Sequence, residues 1–138
     1  MPWTDAKNLA QGARIVKAVR RANTGLIVDP IHFDRAGESP DTLRALPAEW
    51  FGYVQFCAAP ADKPADLQTL LYQARCERMI PGEGGIDLTG ILRALPDDLP
   101  LSIECPLESW AQSVNALTRA KRLREATLAV LDGAYASH

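Results

Sequence analysis

Three short apolar runs, separated by segments with helical spacing, constrain the fold of this chain more than any other feature of its sequence. The runs are Leu26-Ile27-Val28, residues 51–57 and residues 101–103. Short apolar strands that alternate with helices are typical of a parallel sheet covered by helices. The element order that follows is α-β-α-β-α-β-α, and it predicts an α/β fold.

The helices are predicted from apolar spacing and from capping residues. They cover residues 5–22, a short stretch that Ser39 caps with Pro40 in the first position, and residues 65–77, 87–95 and 109–132. Thr4 or Asp5 is the expected N-cap of the first helix, and Ser109 is the expected N-cap of the last. Residues 65–77 are expected to be an addition within a loop.

The number of strands indicates that residues 1–138 form a single partial domain. A doubly wound domain of this length normally has about five strands, and a closed (β/α)8 barrel has eight. A sheet of three strands leaves backbone groups unpaired at both of its edges. The chain is therefore expected to be a piece of a larger structure.

Composition and charge argue against several classes of protein. Hydrophobic residues make up 47% of the chain, charged residues 23%, and the net charge is −2, so a basic surface for nucleic acid is not expected. No apolar run approaches the roughly 18 residues that a membrane span needs, and no signal peptide is evident, so we predict a cytoplasmic protein. Cys57, Cys76 and Cys105 have no CxxC spacing and are expected to be free thiols.

Each predicted strand ends at a side chain that carries oxygen. Asp29, Gln55 and Glu104 stand at the carboxyl ends of the three apolar runs, and parallel α/β folds build their sites at that edge. Carboxylate and amide oxygens suit a divalent ion such as Mg²⁺ or Mn²⁺. The alternative is that polar residues stand there only because loops begin at strand ends. The pattern by itself leaves both interpretations open.

Two further residues near these strand ends are candidates for function. His32 follows Asp29 by three residues and is either an acid/base group or substrate partner, or a histidine that only packs. Glu83 lies in a Gly-rich turn whose N–H groups could bind an anion, or it is simply solvated. The basic residues of the last helix, among them Arg122, are expected to form a solvated face.

Four segments of the chain match the motifs of a known family in their order and spacing. Asp29-Pro30-Ile31-His32-Phe33 followed by Arg35 matches D-x-x-H-F-x-R, and Arg78-Met79-Ile80-Pro81-Gly82-Glu83-Gly84 matches R-x-x-P-G-E-G. Tyr53-Val54-Gln55-Phe56-Cys57 and Leu101-Ser102-Ile103-Glu104 match two strands with their terminal ligands. The chain thus resembles the sugar phosphate isomerases and epimerases with a xylose-isomerase-like barrel. The resemblance implies the C-terminal part of a (β/α)8 TIM barrel.

The resemblance also implies a metal site. In that family a divalent metal is held at the ends of four barrel strands, so that Asp29, Gln55 and Glu104 would be three of the ligands, with Mn²⁺ or Mg²⁺ as the ion. Such a metal polarises a carbonyl so that a neighbouring C–H can be deprotonated. Glu104 would be one of the two glutamates that carry out this proton transfer in the epimerases.

Three side chains would contact the substrate if the resemblance extends to the pocket. His32 would contact the metal-bound sugar or sugar phosphate, and Arg78 would bind its polar or phosphate groups. Trp3 resembles an aromatic wall of the pocket. The reaction implied is isomerisation or epimerisation of this small-molecule substrate.

The sequence departs from the family pattern in ways that leave alternatives open. The family's first metal Glu stands just before the segment that here begins at Met1, so that ligand and the N-terminal strands are expected to be missing. Ala58 stands where many relatives have Asp. Gln55 in the third ligand position resembles the 3-dehydroshikimate dehydratase branch, whose substrate is a keto-polyol.

Three hypotheses about function therefore remain. The first is a metal-dependent isomerase or epimerase, and the second is a lyase of the dehydratase kind. The third is a non-catalytic barrel fragment that pairs with a second copy, as a homodimer, or with a complementing N-terminal half. Cleavage of abasic DNA on the same barrel is not favoured, because it needs several His ligands and a basic groove.

Overall fold

The structure is a computed structural model, and it describes residues 1–136. The strands are β1 Leu26–Val28, β2 Phe51–Phe56 and β3 Leu101–Ile103. The helices are α1 Leu9–Val19, α2 Pro30–Arg35, α3 Pro40–Arg44, α4 Leu67–Arg75, α5 Leu88–Leu92 and α6 Ala116–Tyr135. Short 3-10 turns cover Ala48–Trp50 and Glu108–Trp110.

The three strands form one parallel sheet in the order β1-β2-β3. Val28 pairs with Val54, and Val54 pairs with Leu101. Helices α1, α2 and α6 pack against β1, β2 and β3 respectively. The α/β class and the three parallel strands predicted from the sequence are therefore confirmed.

The core lies between this sheet and its helices. Val28, Val54 and Phe56 are buried there because every second side chain of a strand points to the same face. Leu92 from α5 and Ala134 from α6 belong to the same cluster. On the opposite face Ile27 is 51% exposed, so that face is only partly covered by residues 1–136.

The predicted start of the first helix was wrong. The helix begins at Leu9 rather than near residue 5, because the side chain of Asn8 accepts a hydrogen bond from the amide of Gln11 at 3.0 Å. The Thr4 hydroxyl instead donates to carbonyl oxygens within its own turn. The helix ends at Val19, where Arg20 takes the left-handed conformation with φ 51°.

The predicted start of the last helix was also wrong. α6 begins at Ala116 because the Asn115 side chain accepts from the amide of Thr118 at 2.9 Å. Ser109 lies in the preceding 3-10 turn, and its hydroxyl donates to Glu77 Oε1 at 2.6 Å. The helices predicted at 65–77 and 87–95 exist but are shorter, each beginning after an aspartate whose side chain caps it.

One short helix was not predicted. Residues after β1 were expected to form a loop, but α2 begins directly at Pro30 with Asp29 as its N-cap. An aspartate followed by proline is the usual signature of a helix start, because proline fits the first helical position and aspartate caps it. In the part of the chain that the structure describes, no helix is long and apolar enough to cross a membrane.

Candidate metal and substrate site

The strand-end residues lie on the sheet face that the helices do not cover. Val28 and Val54 are buried on the helical face, so Asp29 and Gln55, one residue further along, point to the other face. Ser102 pairs with Gln55, and Glu104, two residues beyond Ser102, therefore points the same way. The sheet brings together all three side chains that were predicted as metal ligands, although Glu104 extends one step past the other two.

Asp29 is fixed by its own local structure. Its Oδ1 accepts a hydrogen bond from the amide of Ile31 at 3.1 Å, which caps α2. Its Oδ2 accepts from Nη1 of Arg78 at 3.0 Å. Burial raises the pKa of Asp29, and the nearby guanidinium of Arg78 opposes that rise. The carboxylate therefore has a defined orientation before any ligand binds.

The backbone around Arg78 crosses the carboxyl ends of β2 and β3. Met79 and Ala58 exchange two backbone hydrogen bonds of 2.9 Å, and the amide of Arg78 donates to the carbonyl of Pro106 at 2.9 Å. Glu77 forms a bridge with Leu107. These contacts hold the segment in place between the loops that follow the two strands. Ala58 thus takes part through its backbone.

The guanidinium of Arg78 contacts both carboxylates of the site. Nη1 lies 3.0 Å from Asp29 Oδ2, 3.0 Å from the carbonyl oxygen of Glu104 and 3.5 Å from Glu104 Oε2. It also lies 3.3 Å from Sγ of Cys57, a thiol whose pKa burial raises to about 12. Nε donates to the carbonyl of Ala74 at 2.8 Å. Arg78 is only 4% exposed, and its predicted contact with substrate stays a prediction.

His32 and Trp3 lie beside the two carboxylates. His32 Nε2 is 3.6 Å from Asp29 Oδ2, and the Trp3 ring meets the imidazole edge-on with centroids 4.8 Å apart. Burial lowers the pKa of His32 to about 4, and the positive charges of Arg78 and the N-terminus act in the same direction. The imidazole is therefore neutral near pH 7. Its buried Nδ1 has no hydrogen-bond partner among residues 1–136.

A pocket of about 440 Å³ opens above these groups. Asp29, His32, Gln55 and Glu104 line it. Of the two carboxylates, Asp29 and Glu104, Glu104 is the more accessible, with 43% of its side chain exposed. Arg78 is not among the lining residues, because it lies behind the carboxylates. The acid/base candidate and the three candidate ligands thus face one space.

The donors of this pocket fit part of a divalent-metal site. Two carboxylates and one amide supply oxygen, which suits Mg²⁺ or Mn²⁺ better than a thiolate-binding ion. Residues 1–136 contain no group of three or more His, Cys, Asp or Glu that could hold a metal by themselves. Asp29, Gln55 and Glu104 therefore fit such an ion as an incomplete set, which water, substrate or another segment would complete.

Sequence reasoning missed several contacts of the site. Nothing in residue spacing indicated that Arg78 would join Asp29 to Glu104. Lys7 and Glu38 also line the pocket, and Glu38 Oε1 accepts from the amide of Leu9 at 2.8 Å. For Asp29 as a cap, the signal was present in the Asp-Pro dipeptide.

The Gly-rich turn is tied to the last helix. Arg122 Nη2 lies 3.2 Å from Glu83 Oε1, and its guanidinium lies 4.8 Å from the centroid of the Trp110 ring. Arg122 is therefore more than part of a solvated face, although the exposed pair contributes little stability. No bound anion is needed to explain the position of Glu83.

Comparison with known proteins agrees with the α/β barrel fold. The profile of the family described as xylose isomerase-like TIM barrel matches residues 1–130. A 3-dehydroshikimate dehydratase of Pseudomonas aeruginosa is 36% identical over 78 residues, which is 56% of this chain and 12% of that protein.

Solved structures of barrel proteins superimpose on nearly the whole chain. IolI protein with a bound zinc atom gives a TM-score of 0.78 at 22% identity, over 94% of this chain and 45% of IolI. A fusion of a xylose isomerase-like TIM barrel with 4-hydroxyphenylpyruvate dioxygenase gives 0.77 at 24% identity, over 93% of this chain and 20% of the fusion. A xylose isomerase domain protein from Alicyclobacillus acidocaldarius gives a TM-score of 0.73 at 29% identity, over 92% of this chain and 44% of that protein. The chain spans less than half the length of each of these relatives.

Proposed function

We propose that this chain, which belongs to the family of xylose isomerase-like TIM barrels, contributes to a divalent-metal-dependent site that isomerises or epimerises a sugar or sugar phosphate. The observation that carries the proposal is the convergence of Asp29, Gln55 and Glu104 on one pocket together with His32. The pocket lies at the carboxyl ends of parallel strands, which is where barrel enzymes place their chemistry.

Each side chain has a role that follows from its position. Asp29, Gln55 and Glu104 would hold the ion, and the zinc of IolI is support for a divalent ion in this fold. A bound divalent ion would polarise the substrate carbonyl and so acidify the neighbouring C–H. Glu104, with the more accessible carboxylate, would accept that proton and, in an isomerisation, return it to the adjacent carbon. In an epimerisation, a second acid outside residues 1–136 would add a proton to the opposite face of the same carbon. Neutral His32 would hydrogen-bond a substrate hydroxyl.

A dehydratase is the second candidate. Gln55 in the third ligand position and the 36% identity to a 3-dehydroshikimate dehydratase favour it. The same proton abstraction beside a ketone would then be followed by loss of water. A panel of ketoses compared with dehydroshikimate separates the two reactions, because an aromatic ultraviolet chromophore appears only with the dehydratase.

The partner that we propose is protein that continues the sheet, either as a second copy or as the N-terminal half of the barrel. β1 and β3 are the edges of the sheet, and the uncovered face carries the pocket. Strands beyond these edges would supply the missing ligand and close the pocket from the other side. Location in the cytoplasm, and the expectation that nucleic acid and membrane are not partners, stay predictions.

The test measures Mn²⁺ binding to the 138-residue chain by titration calorimetry. The molecular mass is determined in the same preparation. We expect Glu104→Gln and Gln55→Ala to weaken binding by about tenfold or more, since each removes a direct donor. Glu49→Gln is the matched control, because Glu49 is an exposed carboxylate just before β2, at the opposite end of that strand. Equal Mn²⁺ affinity in the wild type and in all three variants would refute the proposed site.

A further inference from the structure

Arg78 lies behind the pocket and is held from several directions. Its Nε donates to the carbonyl of Ala74 at 2.8 Å, and its backbone amide donates to Pro106 at 2.9 Å. With only 4% of the residue exposed, the guanidinium has little freedom to swing into the pocket. Its Nη1 is therefore a fixed point at which Asp29 and Glu104 meet.

We infer that Arg78 is a positioning residue that orients the carboxylates of Asp29 and Glu104 toward the pocket. The inference rests on the metal site proposed above. Asp29 follows β1 and Glu104 follows β3, and β2 lies between these strands in the sheet. One cation in contact with both removes the repulsion between two negative charges and fixes which oxygen atoms remain free.

The hydrogen bonds leave the carboxylates able to bind a ligand. At Asp29, Arg78 occupies one lone pair of Oδ2, and the amide of Ile31 occupies one of Oδ1. Oδ1 also accepts a long hydrogen bond from Sγ of Cys57 at 3.8 Å, whereas Oδ2 retains its second lone pair for a ligand. At Glu104, Nη1 contacts the backbone oxygen at 3.0 Å and Oε2 at 3.5 Å. Contacts of this kind set the direction of ligand oxygens and commonly change metal affinity by about 10–100-fold when they are lost.

Mn²⁺ affinity, measured by electron paramagnetic resonance, tests the inference with three variants of the full chain. We expect Arg78→Met to weaken Mn²⁺ binding by about tenfold or more. Arg78→Lys should fall between it and the wild type, because lysine keeps the charge but lacks the fork of donors. Arg75→Met is the control, since Arg75 is an exposed arginine at the end of α4, three residues before Arg78. Unchanged or tighter Mn²⁺ binding in both Arg78 variants would overturn the inference. Tighter binding would mean that Arg78 only repels the ion through its positive charge, and unchanged binding would mean that Arg78 has no effect on the ion.

A second measurement does not depend on metal. In the metal-free chain, ¹³C relaxation of the side-chain carboxyl carbons of Asp29 and Glu104 reports how well each is ordered. We expect both carbons to become more mobile in Arg78→Lys and Arg78→Met and to stay ordered in Arg75→Met. Unchanged order in the Arg78 variants would refute the positioning role. If the wild-type chain binds no Mn²⁺ while the carboxylates still lose order, the metal site fails and the role of Arg78 stands; if Arg78→Met does not fold, Arg78→Lys decides.

Discussion

Asp29 combines a structural role and a candidate functional role in one carboxylate. It caps α2 through Oδ1 and pairs with buried Arg78 through Oδ2. The sequence predicted this residue as a ligand from its place at a strand end, but it could not reveal the ion pair, because Arg78 lies 49 positions further along. Loss of activity in an Asp29 variant would therefore not by itself identify a metal ligand.

Asp29→Asn separates the cap from the charge. Asparagine caps a helix about as well as aspartate, so the loss that remains is that of a counter-ion from a buried pair. We expect the free energy of unfolding to fall by about 3 kcal/mol, at the low end for a broken buried pair because Glu104 stays near Arg78. Urea denaturation measures this change. Asp66→Asn is the matched control, since Asp66 is an exposed cap, and it should change stability little; an equal effect of both substitutions would contradict the argument.

Local rules of strands and helix ends placed most elements correctly. Alternation along β1 and β2 put Asp29 and Gln55 on one face, and aspartate caps fixed the starts of α4 and α5. Both errors at helix starts came from competition between nearby capping residues. Asn8 and Asn115 win because their side chains reach an amide three residues ahead, whereas Thr4 and Ser109 bond elsewhere.

The Gly-rich segment after Arg78 depends on a close approach to the loop that follows β2. A Cβ atom on Gly84 would clash with the carbonyl oxygen of Ala59, which is backbone and cannot move aside alone. We expect Gly84→Ala to lower the free energy of unfolding by about 1–3 kcal/mol through overpacking.

Thermal denaturation checks this prediction against a control of opposite sign. Gly133 lies inside α6, and a Cβ atom there meets nothing within 4 Å. Gly133→Ala should raise stability by about 0.5–1 kcal/mol, because alanine favours a helix interior. A Gly84→Ala protein as stable as the wild type would show that the loops can separate without cost.

At the scale of the whole molecule, the sheet is covered by helices on one face and open on the other. Val28 is 3% exposed, whereas the neighbouring Ile27 is 51% exposed. Barrel relatives match this chain over less than half of their own length, and a barrel encloses this face with further strands. The open face and the two strand edges are thus where we expect protein partners to add.

Ile27→Glu tests that expectation. A charge on the open face should oppose association of the 138-residue chain with itself or with an N-terminal half, because it would have to be buried there. Analytical ultracentrifugation should show a lower mass than for the wild type. Leu117→Glu is the control, since Leu117 is 65% exposed in the first turn of α6, away from the sheet. A wild-type chain that is monomeric alone and with the added half would contradict the prediction.

The sequence by itself determined the α/β class, the three parallel strands and the strand-end residues, because strand and helix patterns depend on near neighbours in the chain. The motifs also led to the correct family. Only the tertiary structure decided how these residues meet. Register places Asp29, Gln55 and Glu104 on one face, and the segment bridging the ends of β2 and β3 brings Arg78 against two of them. Such contacts join distant parts of the chain, and their cause is packing rather than local sequence.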